Sequence, residues 1–209
     1  MKTSLLIVTL LLPATTVCGR DVPAGPDNYR TLLSKLKPGD TLILAPGKYT
    51  RGMRIRGMHG KPGKPITIQG AGAKTVMVAR KGSNTIDLTD ASWIVIRNIT
   101  FDGRNLHNID AIKAGGDSSK GVHHVTIEGN TIVNHGANQQ TVAISTKVPC
   151  WDWTIRGNTI TAAESLTMRT STWITWGARS RDSTITAHWP YHTASPSQSD
   201  WSLLKCRCD

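Results

Sequence analysis

Several charged side chains stand beside short runs of β-branched residues, where they could bind or react with a ligand. Carboxylates bind cations and hydroxyl groups, whereas lysine binds anions or, once deprotonated, removes a proton. Each of these residue types more often belongs to a solvated surface, so a site is expected only where the fold brings several to one face. The candidates are Asp87, Asp110, Lys113 and Lys147, with Ser145 in the same region.

Histidine and aspartate supply further candidates. His123, His124 and His135 lie near turns and could accept protons, although a histidine that flanks a strand is more often structural. No metal site or cofactor is identifiable from the residues themselves. The acidic residues that come nearest to a calcium loop do not follow its spacing; they are Asp102, Asp110 and Asp117.

Two nearly identical segments indicate which elements position these residues. TIEGNTI occupies positions 126–132 and TIRGNTI positions 154–160, an offset of 28. A period of roughly 20–50 residues is typical of repeat proteins, whose units stack to bury a shared core. A third, more divergent copy precedes them, so that Asn98, Asn130 and Asn158 each stand between two apolar runs.

The repeats predict an all-β parallel β-helix. Between residues 84 and 160, short β-branched runs alternate with Gly, Asn and Asp, and helical periodicity is almost absent. A second strand segment, TIDL, DAIK or VAIS, accompanies each asparagine in the same order. Coils about 4.8 Å apart would place the three asparagines in one hydrogen-bonded column. The alternative is that the Gly-Asn pairs form ordinary hairpin turns, which would not keep this long-range order.

The segment before the repeats predicts a short capping helix. Residues 28–37 carry Leu32, Leu33 and Leu36 on one stripe, and Pro38-Gly39 ends the pattern. Such a helix would cover the open end of the first coil, which otherwise exposes a strand edge and an apolar core.

Three motifs carry a resemblance to a known family. LKPGDTLILAPGKY at residues 36–49, GKPGKPITIQG at 60–70 and VTIEGNTI at 125–132 resemble the secreted right-handed parallel β-helix proteins of the pectate-lyase-like superfamily. The N-terminal part is most similar to the alginate lyase and chondroitinase B branch, and the resemblance covers about residues 29–160.

The resemblance implies a single-stranded right-handed β-helix and a lyase that acts on acidic polysaccharide. It also allows for bound calcium. In that branch the catalytic lysine and arginine and the calcium carboxylates come from later coils, and no residue of this sequence matches them. The active coils are therefore expected to be missing, so that the chain is either truncated and inactive or a non-catalytic β-helix that binds glycans or surfaces.

The charge distribution favours an acidic partner. Residues 21–160 contain 18 Lys and Arg against 10 Asp and Glu, a net charge of +8. A basic extracellular β-helix attracts polyanions, and we expect uronic-acid polysaccharides to be its partners. Nucleic acid is disfavoured because aromatic residues do not interleave with the basic ones. Alternatively, the excess lysine only protects strand edges and keeps the protein soluble.

The N-terminus reads as a secretory signal peptide at residues 1–19. Lys2 provides the positive end, Leu5–Leu12 the apolar stretch, and cleavage is expected near Gly19. The apolar stretch is too short for a transmembrane anchor, and a lipoprotein site at Cys18 is disfavoured by the bulky Val17 before it. We therefore expect a protein that is secreted or periplasmic, with no membrane attachment after cleavage and with a β-helix domain at residues 20–160. Its oligomeric state does not follow from the sequence.

The composition changes abruptly after residue 160. Residues 161–209 contain no Val, no Asn and one Gly, whereas they hold four of the seven Trp. A coil that loses its turn residues in this way is expected from a frameshifted or disordered tail, and the alternative is a genuine Trp/Ser/Thr-rich cap. The odd number of cysteines beyond the signal segment predicts neither a disulfide framework nor a zinc site; they are Cys150, Cys206 and Cys208.

Overall fold

Stacked coils of short strands form the body of the protein. The computed structural model describes residues 19–116, 119–135 and 143–161, and the backbone of three further strands between residues 165 and 187. The greater part of the predicted signal segment, Asp117, Cys206 and Cys208 lie outside the described residues.

Each coil contributes two or three strands in chain order. A strand β1 (Asp21–Ala24) and a helix α1 (Tyr29–Leu33) precede the first coil. The first coil contains β2 (Thr41–Leu44), β3 (Gly47–Tyr49) and β4 (Met53–Arg56), and the second β5 (Ile66–Val78) and β6 (Ile86–Thr89). The third contains β7 (Ala91–Asp102) and β8 (Ile112–Ala114), the fourth β9 (Val122–Glu128), β10 (Thr131–Val133) and β11 (Ile144–Thr146), and the fifth begins with β12 (Cys150–Arg156) and β13 (Thr159–Thr161).

Strands of successive coils pair in parallel on three faces. Face A consists of β1, β2, the first parts of β5 and β7, β9 and β12. Face B consists of β3, the second parts of β5 and β7, β10 and β13. Face C consists of β4, β6, β8 and β11. These pairings confirm the predicted parallel β-helix and exclude the hairpin alternative.

Columns of aliphatic side chains fill the interior between the faces. On face A the register places Leu42, Ile68, Ile96, Ile127 and Ile155 in one column, at intervals of 26, 28, 31 and 28 residues. All five are at most 3% exposed. Each buried aliphatic side chain contributes roughly 1.5–3 kcal/mol relative to an exposed one, so this repeated column is a main source of stability.

The corner between faces A and B has a left-handed backbone in the third, fourth and fifth coils. The residue at that position is Asn98, Gly129 or Gly157, with φ values of 54°, 61° and 58°. Asparagine and glycine tolerate this conformation better than other residues do. Asn98 therefore shares a column with Gly129, and the prediction that it shares one with Asn130 and Asn158 needs correction.

Asn130 and Asn158 occupy the next position and connect the coils through their side chains. The Asn130 side chain accepts a hydrogen bond from the Ile99 N–H (3.1 Å) and donates to the Ile96 carbonyl (3.0 Å) of the preceding coil. Asn158 repeats the pattern, accepting from the Asn130 N–H (2.9 Å) and donating to the Ile127 carbonyl (2.8 Å). The two side chains also bond to each other at 3.0 Å. This asparagine pair satisfies backbone groups that a corner leaves unpaired.

Helix α1 covers the first coil. Tyr29 and Leu33 are buried at 1% and 4% exposure. The ring of Tyr29 meets that of Tyr49 in β3 edge-to-face, with centroids 5.0 Å apart and planes at 82°. The Tyr29 hydroxyl donates to the Arg51 carbonyl oxygen. The short N-terminal capping helix predicted from the sequence is thereby confirmed.

The helix is shorter than the predicted residues 28–37 because a turn around Asp40 replaces its last part. The Asp40 carboxylate accepts hydrogen bonds from the Lys37 N–H (2.9 Å) and from the backbone N–H of Arg20 (3.1 Å). The Arg20 guanidinium also donates to it at 2.7 Å. The arginine and these backbone donors hold the pKa of Asp40 well below its usual value. Asp40 thus ties the start of β1 to the entry of β2.

The backbone of three short strands is described after residue 161. Strands β14 (Ser165–Arg169) and β15 (Trp173–Gly177) pair antiparallel, and β16 (Ile185–Ala187) pairs antiparallel with β12. Strand β16 therefore lies along an edge of the fifth coil. The frameshift hypothesis concerns the gene and stays a prediction, as do the domain boundaries at residues 19 and 160.

We predict that Asn130→Ala lowers the free energy of unfolding by about 2–4 kcal/mol, because it leaves the buried Ile99 N–H and Ile96 carbonyl without partners. Asn98→Gly is the matched control. It keeps the left-handed corner and should change stability by less than about 0.5 kcal/mol. Equilibrium urea unfolding measures both. A loss at residue 98 as large as that at residue 130 would contradict the corrected register.

Candidate binding surface

The outward positions of face C bring several of the predicted candidates into one column. The strand register aligns Arg54, Asp87, Lys113 and Ser145, because the neighbouring positions in each strand point into the core. Arg54 is exposed, Asp87 and Lys113 are half-buried, and Ser145 is buried. Lys147 is exposed and directly follows β11. With strands about 4.8 Å apart, the column spans about 14 Å.

Asp110 lies beneath this surface and connects three coils. It is 3% exposed, and its carboxylate accepts a hydrogen bond from the Ser145 hydroxyl at 2.6 Å. Its backbone N–H donates to the side-chain oxygen of Asn84 (3.0 Å), whose amide group donates to Asp87 at 2.9 Å. Of the predicted site residues, Asp87, Lys113 and Lys147 therefore reach the surface, whereas Asp110 positions its neighbours.

Four arginines lie on or beside β4, the first strand of face C. Arg54 and Arg56 project from β4, Arg51 precedes it, and Arg30 lies on α1. None of these four forms an ion pair with any residue in the described part of the chain. We call them the arginine cluster. Unpaired guanidinium groups present several donors in a planar fork that matches a carboxylate.

Two cavities lie beside the arginine cluster, between α1 and β4. The first has a volume of about 380 Å³ and the second about 330 Å³. Arg30, Leu33 and Arg54 border both of them. The first also reaches His59, and the second reaches Arg51. The two cavities adjoin through these shared residues, and together they are referred to below as the groove between α1 and β4.

The charges on face A are arranged differently, because they neutralise one another. Glu128 accepts two hydrogen bonds from the Arg156 guanidinium, at 2.8 and 2.6 Å. Arg97 lies 3.6 Å from the other oxygen of Glu128 and donates to Gln69 at 2.9 Å. This ladder crosses four coils and leaves its guanidinium groups occupied.

An aromatic–histidine cluster stands at the start of face A. The rings of Trp93 and His124 stack with centroids 3.9 Å apart, and those of His123 and Trp151 stack at 4.4 Å. Trp93, His124 and Asp152 all have left-handed φ values, of 55°, 53° and 54°. The backbone bulges outward at the same place in three coils and stacks these side chains. Only the two histidines were among the predicted candidates, although the aligned segments SWIVI, HHVTI and WDWTI carried the signal.

The ionisable groups of this cluster lie close to one another. Nδ1 of His123 lies 2.6 Å from Nδ1 of His124, which is a hydrogen-bonding distance. Nε2 of His124 is 3.3 Å from the Asp152 carboxylate. Burial, followed by the neighbouring histidine charges, lowers the pKa of His123. The stacked rings connect the third, fourth and fifth coils, so the role of the cluster is structural.

His135 is also structural. It is fully buried, and its Nδ1 lies 3.0 Å from the Ile109 carbonyl, which makes Nδ1 the protonated nitrogen. Burial lowers the pKa of His135. Its position below the surface removes it from the candidate proton acceptors.

The described residues contain no group of three or more His, Cys, Asp or Glu that could hold a metal ion. The described residues therefore do not fit the calcium ion that the family resemblance allows. Within the same ranges, no helix has the length and apolar composition needed to cross a membrane.

Comparisons with known proteins returned structural neighbours only. No protein-family model matches the sequence, and no curated protein matches it. Among solved structures, an alginate lyase from a Paenibacillus species is similar at 16% identity and a TM-score of 0.42, covering 70% of this chain and 60% of that one. An alginate lyase of the PL6 family, solved as a mutant, is similar at 19% identity and a TM-score of 0.35, covering 60% and 21%. The chain thus spans less than two thirds of either structure.

The buried His135 predicts a pH dependence of stability. A lowered folded pKa means that the unfolded chain binds the proton more readily, so the free energy of unfolding falls as pH drops below about 6.5. We expect His135→Asn, which retains a donor near Nδ1, to reduce the stability difference between about pH 7.5 and about pH 5.5 by about 1 kcal/mol. The exposed His107→Asn is the control. Equal pH dependence in wild type and His135→Asn would refute the assignment.

Proposed function

We propose that this chain is a polysaccharide-lyase-like β-helix that binds an acidic polysaccharide, such as a polyuronate, on face C. The contrast between the two faces carries the proposal. The guanidinium groups of face A are held by Glu128 and Gln69, whereas the arginine cluster has no ion-pair partner among the described residues. Uncompensated cations on one side of a protein create a potential that attracts a polyanion.

The geometry of face C suits a carboxylate polymer. Arg54 and Lys113 stand two coils apart in the same column, about 10 Å from each other along the stack. Asp87 stands between them in the column, so a bound polymer would place its carboxylates at Arg54 and Lys113 and a hydroxyl group at Asp87. The outward residues of face C in the described coils include no aromatic side chain, so the stacking platform that single-stranded nucleic acid needs is missing there.

A second candidate function is β-elimination of the bound polymer. In that reaction a base removes the proton at C5, a double bond forms between C4 and C5, and the C4–O bond breaks as the leaving oxygen takes up a proton. A cation must neutralise the carboxylate to acidify the C5 proton. Lys113 and Arg54 are of the residue types that these two roles need, and because about 10 Å separates them along the stack, catalysis would require both side chains to reach the same sugar. Incubation with alginate or polygalacturonate, followed by the absorbance of the unsaturated product, separates catalysis from binding alone.

We predict that the double variant Arg54→Gln/Lys113→Gln binds polyuronate about tenfold more weakly than wild type at low ionic strength, because it removes two face C cations. The double variant Lys48→Gln/Arg156→Gln is the matched control. It removes one lysine and one arginine from faces B and A and should retain most of the affinity. Isothermal titration with polygalacturonate measures all three proteins. Equal weakening in both variants would mean that net charge, and not face C, governs binding.

Secretion is part of the same proposal, since an extracellular polymer requires an exported protein. Cleavage after Gly19 would make Arg20 the first residue, with its new ammonium group beside Asp40, where the Arg20 N–H now lies 3.1 Å from a carboxylate oxygen. We expect expression with export to yield a mature protein whose N-terminus is Arg20 or a residue within two positions of it. N-terminal sequencing measures this. An exported protein that still begins at Met1 would exclude cleavage.

A further inference from the structure

The groove between α1 and β4 has two chemically different walls. In its first cavity, Arg30, Arg54 and Arg56 provide positive charge, while Leu36 and Met58 provide an apolar surface. No aspartate or glutamate borders this cavity. Its volume of about 380 Å³ lies in the range of roughly 300–1,000 Å³ that is usual for small-molecule sites. A ligand that fits must combine an anionic group with an apolar face.

The second cavity differs from the first in having an acidic side chain at its border. Asp27 and Thr31 border it together with Arg51, and it shares Arg30 and Arg54 with the first cavity. A carboxylate next to arginines suits the hydroxyl groups of a ligand, because it accepts hydrogen bonds while the arginines donate them. The two shared arginines stand where a ligand would pass from one cavity into the other.

We propose that this groove is a distinct site for a short acidic oligosaccharide. A uronate unit fits the first cavity, with its carboxylate on the arginines and the C–H face of its ring against Leu36 and Met58. The adjoining sugar lies in the second cavity, where Asp27 and Arg51 bond its hydroxyl groups. The inference rests on the proposed function for the substrate class, but it places the oligosaccharide under the capping helix and not on the open column of face C.

The capping helix makes the site separable from the rest of face C. Arg30 belongs to α1 and Ser34 directly follows it, so neither residue is part of the strand column. Ser34 is exposed and borders the first cavity, which allows a bulky side chain at this position to fill the cavity without changing the charge. Lys113 belongs to the column and borders neither cavity.

Trigalacturonate is the probe, titrated against the full chain by calorimetry. We expect saturable one-to-one binding that Arg30→Gln weakens at least about tenfold, because a hydrogen-bonded charge pair is lost. The charge-neutral Ser34→Trp should weaken binding to the same degree by occupying the cavity, whereas Lys113→Gln should change it by less than about twofold. A carboxyl-reduced trisaccharide should not bind, and inorganic sulfate should not compete at equal concentration.

The outcomes separate this inference from the proposed function. Binding of the polymer without binding of the trisaccharide, or trisaccharide binding that is insensitive to both Arg30→Gln and Ser34→Trp, overturns the groove and leaves face C intact. If neither the polymer nor the trisaccharide binds, the proposed function is overturned as well. Urea unfolding of each variant shows whether it is folded, and Ser34→Trp provides the decisive comparison should Arg30→Gln prove unstable.

Discussion

The in-register parallel stacking of the coils is the constraint on which the rest of the structure depends. The third, fourth and fifth coils turn from face A to face B with a left-handed residue, and in the fourth and fifth the next position satisfies backbone groups of the coil before it. Asn130 and Asn158 do so with the same pair of hydrogen bonds, one accepted and one donated. Since a buried backbone group without a partner costs about 1–3 kcal/mol, this corner sets the register of every strand that follows.

Register in turn decides which side chains meet on the outside. A residue on a face has the corresponding residues of the coils above and below as its nearest neighbours, about 4.8 Å away. On face A this alignment places Glu128 between Arg97 and Arg156, which neutralises the column. Around β4 it places Asp87 next to Arg54, but no arginine of the arginine cluster forms an ion pair within the described part of the chain. The same stacking rule thus produces ion-paired arginines on face A and, among the described residues, arginines without ion-pair partners around β4.

The stacking also accounts for the aromatic–histidine cluster. A bulge in one coil would disturb pairing with its neighbours, but the same bulge at residues 93, 124 and 152 keeps the register. The side chains at the bulge then stack on one another, which brings two imidazole rings together and joins three coils. Partial burial in this stack lowers the pKa of His123.

The sequence by itself determined the parallel β-helix, the capping helix and the basic character of the molecule. Alternating apolar residues, recurring turn residues and charge counts can all be read from the sequence, because they do not depend on which distant segments meet. The position of Asn98 was misjudged because glycine and asparagine both fit a left-handed corner, so matching asparagines by identity shifted the column by one residue. Asp110 and the arginine groove depended on tertiary structure. Whether a carboxylate is buried, and whether Arg30 on α1 meets Arg54 on β4, follows only from how segments far apart in the chain pack together.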